Sequence, residues 1–178
     1  MKYWIDTEFI ERPFTIDLIS IGLVAEDGRE FYAESNEIDW SKASHWTLQK
    51  VRPQLQGAGM AREEIGYAVR RFVDNDERPV FWGYFCAFDW IVFGWLFGDM
   101  HEQPFRFPAL CLDLKQWAIE LGDPQLPRQI GTCHHALADA RWTRDAWAFL
   151  KNLDPPASER RCIGRKHPDQ GAPGQSSS

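Results

Sequence analysis

Residues 1–10, MKYWIDTEFI, alternate as in a β-strand and carry two acidic residues, Asp6 and Glu8, in their second half. Side chains two positions apart on a strand point to the same face, so Asp6 and Glu8 are expected to project together. Two carboxylates at the end of an apolar strand are costly unless a cation neutralises them, and Mg²⁺ or Mn²⁺ suits oxygen ligands. These two acids alone favour the simpler interpretation of a strand running into a solvated loop, so the decision rests on the residues downstream.

The composition indicates one packed globular domain. A chain of 178 residues is long enough for one core and short for two, and 44% hydrophobic with 14% aromatic residues argues against disorder. A net charge of −6 gives no general attraction for nucleic acid, which counts against a passive nucleic-acid-binding module. It counts less against an enzyme whose metal ions offset a cluster of acids.

The cysteines indicate free thiols in a reducing compartment. They show no C-x-x-C spacing, so neither a disulfide framework nor a zinc ribbon is expected. Their positions are Cys86, Cys111, Cys133 and Cys162. No apolar signal core follows Lys2, and we therefore expect a cytoplasmic protein.

Residues 79–100, PVFWGYFCAFDWIVFGWLFGDM, have nearly the length and hydrophobicity of a membrane span. Asp89 lies at the middle, where an acid costs roughly 3 kcal/mol on insertion scales. Three glycines also interrupt the segment. The pattern predicts a short buried strand, a turn and a buried helix, with no membrane partner.

The remaining elements predict an α/β domain with a mixed sheet. Asp27-Gly28 between two β-rich runs favours a hairpin, so the first third is expected to form a three-stranded meander. Strands and helices alternate after it, as in mixed sheets flanked by helices. The predicted strands are 15–25, 29–34, 80–84 and 108–112, and the predicted helices are 60–73, 88–97, 113–121 and 135–151, with short helices in 36–59. We expect a domain over residues 1–152 and a flexible tail over 153–178.

Acidic residues occur at three ends of these predicted elements. They are Asp6 with Glu8, then Asp89, and then Asp139 with the nearby His134. Small residues beside Asp139 would let the last helix approach the strand that carries Asp6. Four converging carboxylates suit two divalent ions about 3.5–4 Å apart, the arrangement used for phosphodiester cleavage. An imidazole beside them can take a proton from water.

In order and spacing these residues resemble a known family. Asp6-Thr7-Glu8, Phe88-Asp89 and the segment 134–139 (HHALAD) are similar to the three motifs of the DEDDh branch of the DnaQ-like 3′→5′ exonucleases, over residues 1 to about 150. The segments 6–11 (DTEFIE) and 15–22 (TIDLISIG) most resemble the small polyadenylate-specific 3′-exoribonuclease AS family. The resemblance implies an RNase H-like fold, with a mixed five-stranded sheet flanked by helices. It also implies two Mg²⁺ ions for which Mn²⁺ substitutes, single-stranded RNA as substrate, nucleoside 5′-monophosphate products and a homodimer.

The same resemblance implies a role for each acidic residue. Asp6 would bridge both ions, and Glu8 with Asp139 would complete the site for the nucleophilic water. Asp89 would hold the second ion, and His134 would act as the general base.

The resemblance further implies that Thr7, Glu8 and Phe9 line the pocket for the terminal nucleotide, with Phe9 as a stacking side chain. One residue departs from the pattern: Phe85 stands where many members carry asparagine, four positions before Asp89. This weakens a proofreading assignment and is compatible with the exoribonuclease AS branch, whose polyadenylate preference rests on analogy.

Simpler interpretations accompany these assignments. Asp89 and Asp113 both suit helix N-caps, which for Asp89 does not exclude a metal contact. His135 fits the motif less well than its neighbour, and a zinc site at Cys133 lacks a second pair of ligands. Most of the nine tryptophans are expected to pack in the interior, and Trp46, in the irregular segment 36–59, is the one most expected to be exposed at all.

The sequence thus predicts a metal-dependent 3′→5′ exoribonuclease, preferring poly(A) 3′ ends. The alternatives are an exonuclease acting on single-stranded DNA and, with less support, a non-catalytic nucleic-acid-binding adaptor.

Overall fold

The computed structural model of the protein describes residues 1–57, 59–73, 76–99 and 101–154. The predicted tail, 153–178, lies outside these residues from position 155 onward.

One mixed five-stranded sheet organises the fold, as predicted. Its strands are β1 (Lys2–Arg12), β2 (Thr15–Ala25), β3 (Glu30–Glu34), β4 (Val80–Gly83) and β5 (Leu112–Asp113). Their spatial order is β3-β2-β1-β4-β5. The first three pair antiparallel as a meander, while β4 is parallel to both β1 and β5. The strand that opens the chain therefore lies at the centre of the sheet.

Helices cover both faces of this sheet. The described residues include α1 (His45–Lys50), α2 (Arg62–Val73), α3 (Ala87–Trp95), α4 (Leu114–Glu120) and α5 (Ala136–Leu153). On one face, Tyr3 and Ile5 of β1 belong to the same core cluster as Ile65 of α2 and Phe93 of α3. On the other face, Trp4 packs with Ala140 of α5. Alternate residues of β1 thus face different helices, as strand periodicity requires.

Helix α5 packs on β1, as the small residues beside Asp139 predicted, and it also lies very close to the neighbouring strand β2. Ala136, Ala140 and Thr143 are fully buried on its sheet-facing side. A Cβ added to Gly22 of β2 would lie 2.4 Å from the backbone of Ala136. Only glycine allows this approach, which brings the first turn of α5 over the middle of the sheet.

The apolar segment 79–100 folds as predicted, with β4, a turn and α3 along it. Of the described residues, no helix combines the length and hydrophobicity needed to cross a membrane.

Several boundaries differ from the sequence-based predictions. The strand predicted at 108–112 shortens to β5, because Pro108 lacks an amide donor and the Ala109 carbonyl accepts a 3.3 Å bond from the Trp90 indole. The Asp27-Gly28 turn takes a positive φ only at Gly28, +90°. Asp113 caps α4 as predicted, because its Oδ1 accepts the amides of Lys115 and Gln116.

Candidate active site beside the carboxyl end of β4

The site begins where the parallel pair β1–β4 stops. The pairing runs from Lys2–Val80 to Trp4–Trp82, and β4 then ends while β1 continues to Arg12. The β4 side of β1 is therefore open beyond Trp4. The backbone amides there need other acceptors, because buried N–H groups are seldom left unpaired.

Asp89 supplies that acceptor for Thr7. The Oδ1 atom of Asp89 accepts both the Thr7 amide and the Thr7 hydroxyl, each at 2.7 Å. Asp89 lies in the first turn of α3 and is only 7% exposed. These bonds fix one acid of the site to the edge of the central strand.

Asp6 and Glu8 project from the face of β1 that is covered by α5, opposite the face that carries Tyr3 and Ile5. They share their face with Trp4, which packs on Ala140. A register shift interrupts the β1–β2 pairing between Glu8 and Phe9, after both acids. The alternation that the sequence predicted therefore holds as far as Glu8.

The loop before α5 folds back onto Asp139. The Oδ2 atom of Asp139 accepts the backbone amide of His134 at 2.9 Å, and its Oδ1 accepts a short bond from Nε2 of Gln129. His134 adopts a left-handed backbone with φ of +64°. This conformation is uncommon for a residue other than glycine and costs of the order of 1 kcal/mol or more, so the surrounding contacts hold it.

Glu8, His134 and Asp139 bring ligand atoms together. One oxygen or nitrogen atom from each lies within 4.8 Å of the others, and all three residues are partly exposed. Carboxylate oxygens and an imidazole nitrogen are suitable ligands for a divalent cation. This group could therefore hold a metal ion.

The electrostatics of the site link Asp6 and Asp89 to this group. Burial first, and then the charges of Asp89, Asp139 and Glu8, raise the pKa of Asp6 well above its ordinary value. Burial, followed by the charges of Asp139 and Asp89, raises the pKa of Glu8 to about 8. Burial also raises the pKa of Asp89, although its bonds from Thr7 oppose the effect. The acids thus form one cluster whose negative charge a cation would compensate.

Thr7 and Phe9, both predicted to line the nucleotide pocket, contact Asp89 and the residue before it. Thr7 is buried and both of its donors engage Asp89, while Phe9 packs its ring against Phe88 with centroids 5.9 Å apart. Phe88 is partly exposed at the surface.

Two contacts at the site were not predicted from the sequence. One is the bond from Gln129 to Asp139, and the other is an edge-to-face contact between the rings of Trp46 and His134. His135 stacks on Tyr32 with ring centroids 4.5 Å apart.

Fold and site together define an α/β protein with a carboxylate and imidazole cluster midway along its central strand, beyond the end of β4. A family model, described as the 3′-5′ exoribonuclease Rv2179c-like domain, matches residues 1–151. The chain belongs to this family.

Two curated relatives agree with that assignment, and one solved structure has a similar fold. The 3′-5′ exoribonuclease Rv2179c of Mycobacterium tuberculosis (strain ATCC 25618 / H37Rv) is 37% identical over 147 residues, which cover 79% of this chain and 88% of the relative. The 3′-5′ exoribonuclease MT2234.1 of strain CDC 1551 / Oshkosh has the same identity and coverage. The structure of the yeast NOT1 MIF4G domain co-crystallised with CAF1 is similar with a TM-score of 0.50 and 16% identity, covering 85% of this chain and 79% of that chain. At that identity the likeness concerns the fold alone.

Proposed function

We propose that the protein is a metal-dependent 3′→5′ exoribonuclease that hydrolyses single-stranded RNA to nucleoside 5′-monophosphates. The observation that carries the proposal is the convergence of Glu8, His134 and Asp139, with Asp6 and Asp89 coupled to them electrostatically. Membership of a family described as 3′-5′ exoribonucleases supports the same reaction.

The acids are suited to hold two Mg²⁺ ions, for which Mn²⁺ would substitute. Asp6, Glu8, Asp89 and Asp139 are the proposed ligands. The raised pKa values of Asp6, Glu8 and Asp89, to which the charge of Asp139 contributes at Asp6 and Glu8, reflect negative charge that lacks a counter-charge. When bound, such ions activate water and neutralise charge on the phosphodiester.

The other groups of the site orient the reaction. His134 is the proposed general base: its imidazole accepts a proton from the attacking water, while its backbone amide remains bonded to Asp139. Thr7 holds Asp89 in place through two hydrogen bonds. Phe9, whose ring packs against Phe88, is the side chain proposed to stack on the terminal base.

The finer assignments belong to the same proposal. We propose the DEDDh class, an RNase H-like fold, a homodimer, a preference for poly(A) ends and a cytoplasmic location. We also propose a catalytic domain over residues 1–152, followed by a tail over 153–178. Analogy with the resembling families supports the poly(A) preference and the dimer, and the free thiols favour the cytoplasm.

Product analysis tests the reaction directly. Oligo(A), oligo(U) and oligo(dA), each labelled at the 5′ end, are incubated with the protein and Mg²⁺ or with EDTA. We expect a ladder shortening from the 3′ end, 5′-monophosphate products, the fastest turnover on oligo(A) and no turnover in EDTA. Faster shortening of oligo(dA) than of both RNAs would favour the deoxyribonuclease alternative.

Two variants serve as controls for this assay. Asp139→Asn should lose both Mn²⁺ binding in calorimetry and turnover. His134→Gln should retain Mn²⁺ binding and lose most turnover, because it removes the proposed base while leaving the four acids. Full turnover in His134→Gln would contradict the general-base assignment.

A further inference from the structure

The rings of Trp46 and His134 meet at the site, although 88 positions separate them in the chain. Their centroids lie 4.7 Å apart with the planes at 78°. This is the edge-to-face geometry that aromatic pairs favour. Trp46 is 50% exposed, so the contact lies at the mouth of the site and not in the core.

The sheet fixes the position of Trp46 through α1. The hydroxyl of Ser44 caps this helix by accepting the Thr47 amide at 3.0 Å, and it lies 2.8 Å from the Thr47 hydroxyl. Val51, directly after α1, is buried in a cluster with Ile10 of β1 and Ile19 of β2. Anchors at both ends therefore hold a short helix that would be marginal alone.

The imidazole of His134 has few restraints apart from this contact. Its backbone amide is bonded to Asp139, but its ring nitrogens make no hydrogen bond with any residue in the described part of the chain. One ring nitrogen nevertheless lies within 4.8 Å of carboxylate oxygens of Glu8 and Asp139. Among the described residues, the Trp46 indole is the aromatic ring in contact with this imidazole, and it limits the rotamers that the imidazole can adopt.

We propose that Trp46 is a positioning residue, whose indole holds the His134 imidazole facing Glu8 and Asp139. The inference rests on the proposed function, because it takes His134 as the general base. Removing the indole would free the imidazole to sample other rotamers, and only the fraction facing the acids would accept a proton. Trp46 would then contribute to turnover more than to the binding of RNA.

Trp46→Leu tests the proposal, because a half-exposed side chain can be replaced without opening the core. Trp46→Phe is the conservative variant that retains an aromatic edge. Trp95→Leu is the matched control, since Trp95 on α3 is 54% exposed and lines a groove with Tyr67 and Arg70, residues that make no contact with the acids.

Two measurements separate positioning from other roles. Steady-state kinetics on oligo(A) with Mg²⁺ give kcat and KM. ¹H–¹³C spectra of the imidazole groups report the surroundings of His134 without requiring activity, and His134→Gln assigns its signal among the five histidines.

We expect Trp46→Leu to shift the His134 ring signals and to lower kcat by about tenfold with KM within about twofold. Trp46→Phe should restore most of the kcat, and Trp95→Leu should match the wild type in both measurements. Unmoved His134 signals in Trp46→Leu would overturn the proposal. A raised KM at unchanged kcat would also overturn it, because it would place Trp46 against RNA. Failure of the proposed function would be distinguishable from failure of the Trp46 proposal, because the wild type itself would then release no 5′-monophosphates.

Discussion

Ionisation of Glu8 should destabilise the metal-free protein as the pH rises. Burial and the neighbouring acids raise its pKa from 4.5 to about 8. The folded protein therefore keeps a proton that the unfolded chain releases between about pH 4.5 and 8, so the free energy of unfolding falls across this window. The stabilising effect of the proton is complete below about pH 4.5, the pKa in the unfolded chain, and it is lost above about pH 8, the pKa in the folded protein. The pKa difference of about 3.5 units, at about 1.36 kcal/mol per unit, sets an upper limit of ~5 kcal/mol on the loss in the free energy of unfolding.

Glu8→Gln isolates this contribution, because glutamine keeps the shape and remains neutral. Urea unfolding in EDTA, followed by tryptophan fluorescence, should give similar stabilities for variant and wild type near pH 5. Near pH 8 the variant should be more stable by about 2 kcal/mol or more. The raised pKa values of Asp6 and Asp89 act in both proteins and largely cancel in the comparison.

Glu11→Gln is the matched control on the same strand, where the side chain is exposed. It should follow the wild type at every pH. Parallel stability profiles for Glu8→Gln and the wild type would refute the reasoning, because they would mean that Glu8 ionises without cost.

Three further substitutions test individual contacts. Thr7→Val removes the hydroxyl donor to Asp89 and keeps the amide, so Mn²⁺ affinity in calorimetry should fall about tenfold with the fold intact. Gln129→Leu removes the donor to Asp139, and a loss of Mn²⁺ affinity of about the same size is expected; unchanged affinity would show that the bond does not orient the acid. Gly22→Ala should lower the free energy of unfolding by about 1–3 kcal/mol or more, measured by calorimetric melting, because its Cβ would clash with α5.

Periodicity explains why the central part of the site was predictable. Strand alternation placed Asp6 and Glu8 on one face, and small residues near Asp139 indicated a helix close to the sheet. Both inferences use spacing within one element. The structure agrees because the register shift comes only after Glu8 and because Gly22 permits the close approach.

The contacts between these elements could not be predicted from the sequence. Thr7 bonds to Asp89 only because β4 ends early and leaves the amide without a strand partner, and the length of β4 depends on tertiary packing. Gln129 bonds to Asp139 from an irregular loop, where no periodic pattern predicts the direction of a side chain. Trp46 meets His134 across most of the chain, and no local pattern encodes such a pairing.

The direction of α5 has a practical consequence for handling the protein. Asp139 occupies the first turn of this helix, which ends at Leu153. At 1.5 Å per residue, the two positions are separated by about 20 Å along the axis. A fluorophore attached at Leu153 itself, whose side chain is exposed, would therefore lie at the opposite end of α5 from the acids. Protein immobilised through position 153 should leave the acids accessible to ligands in solution.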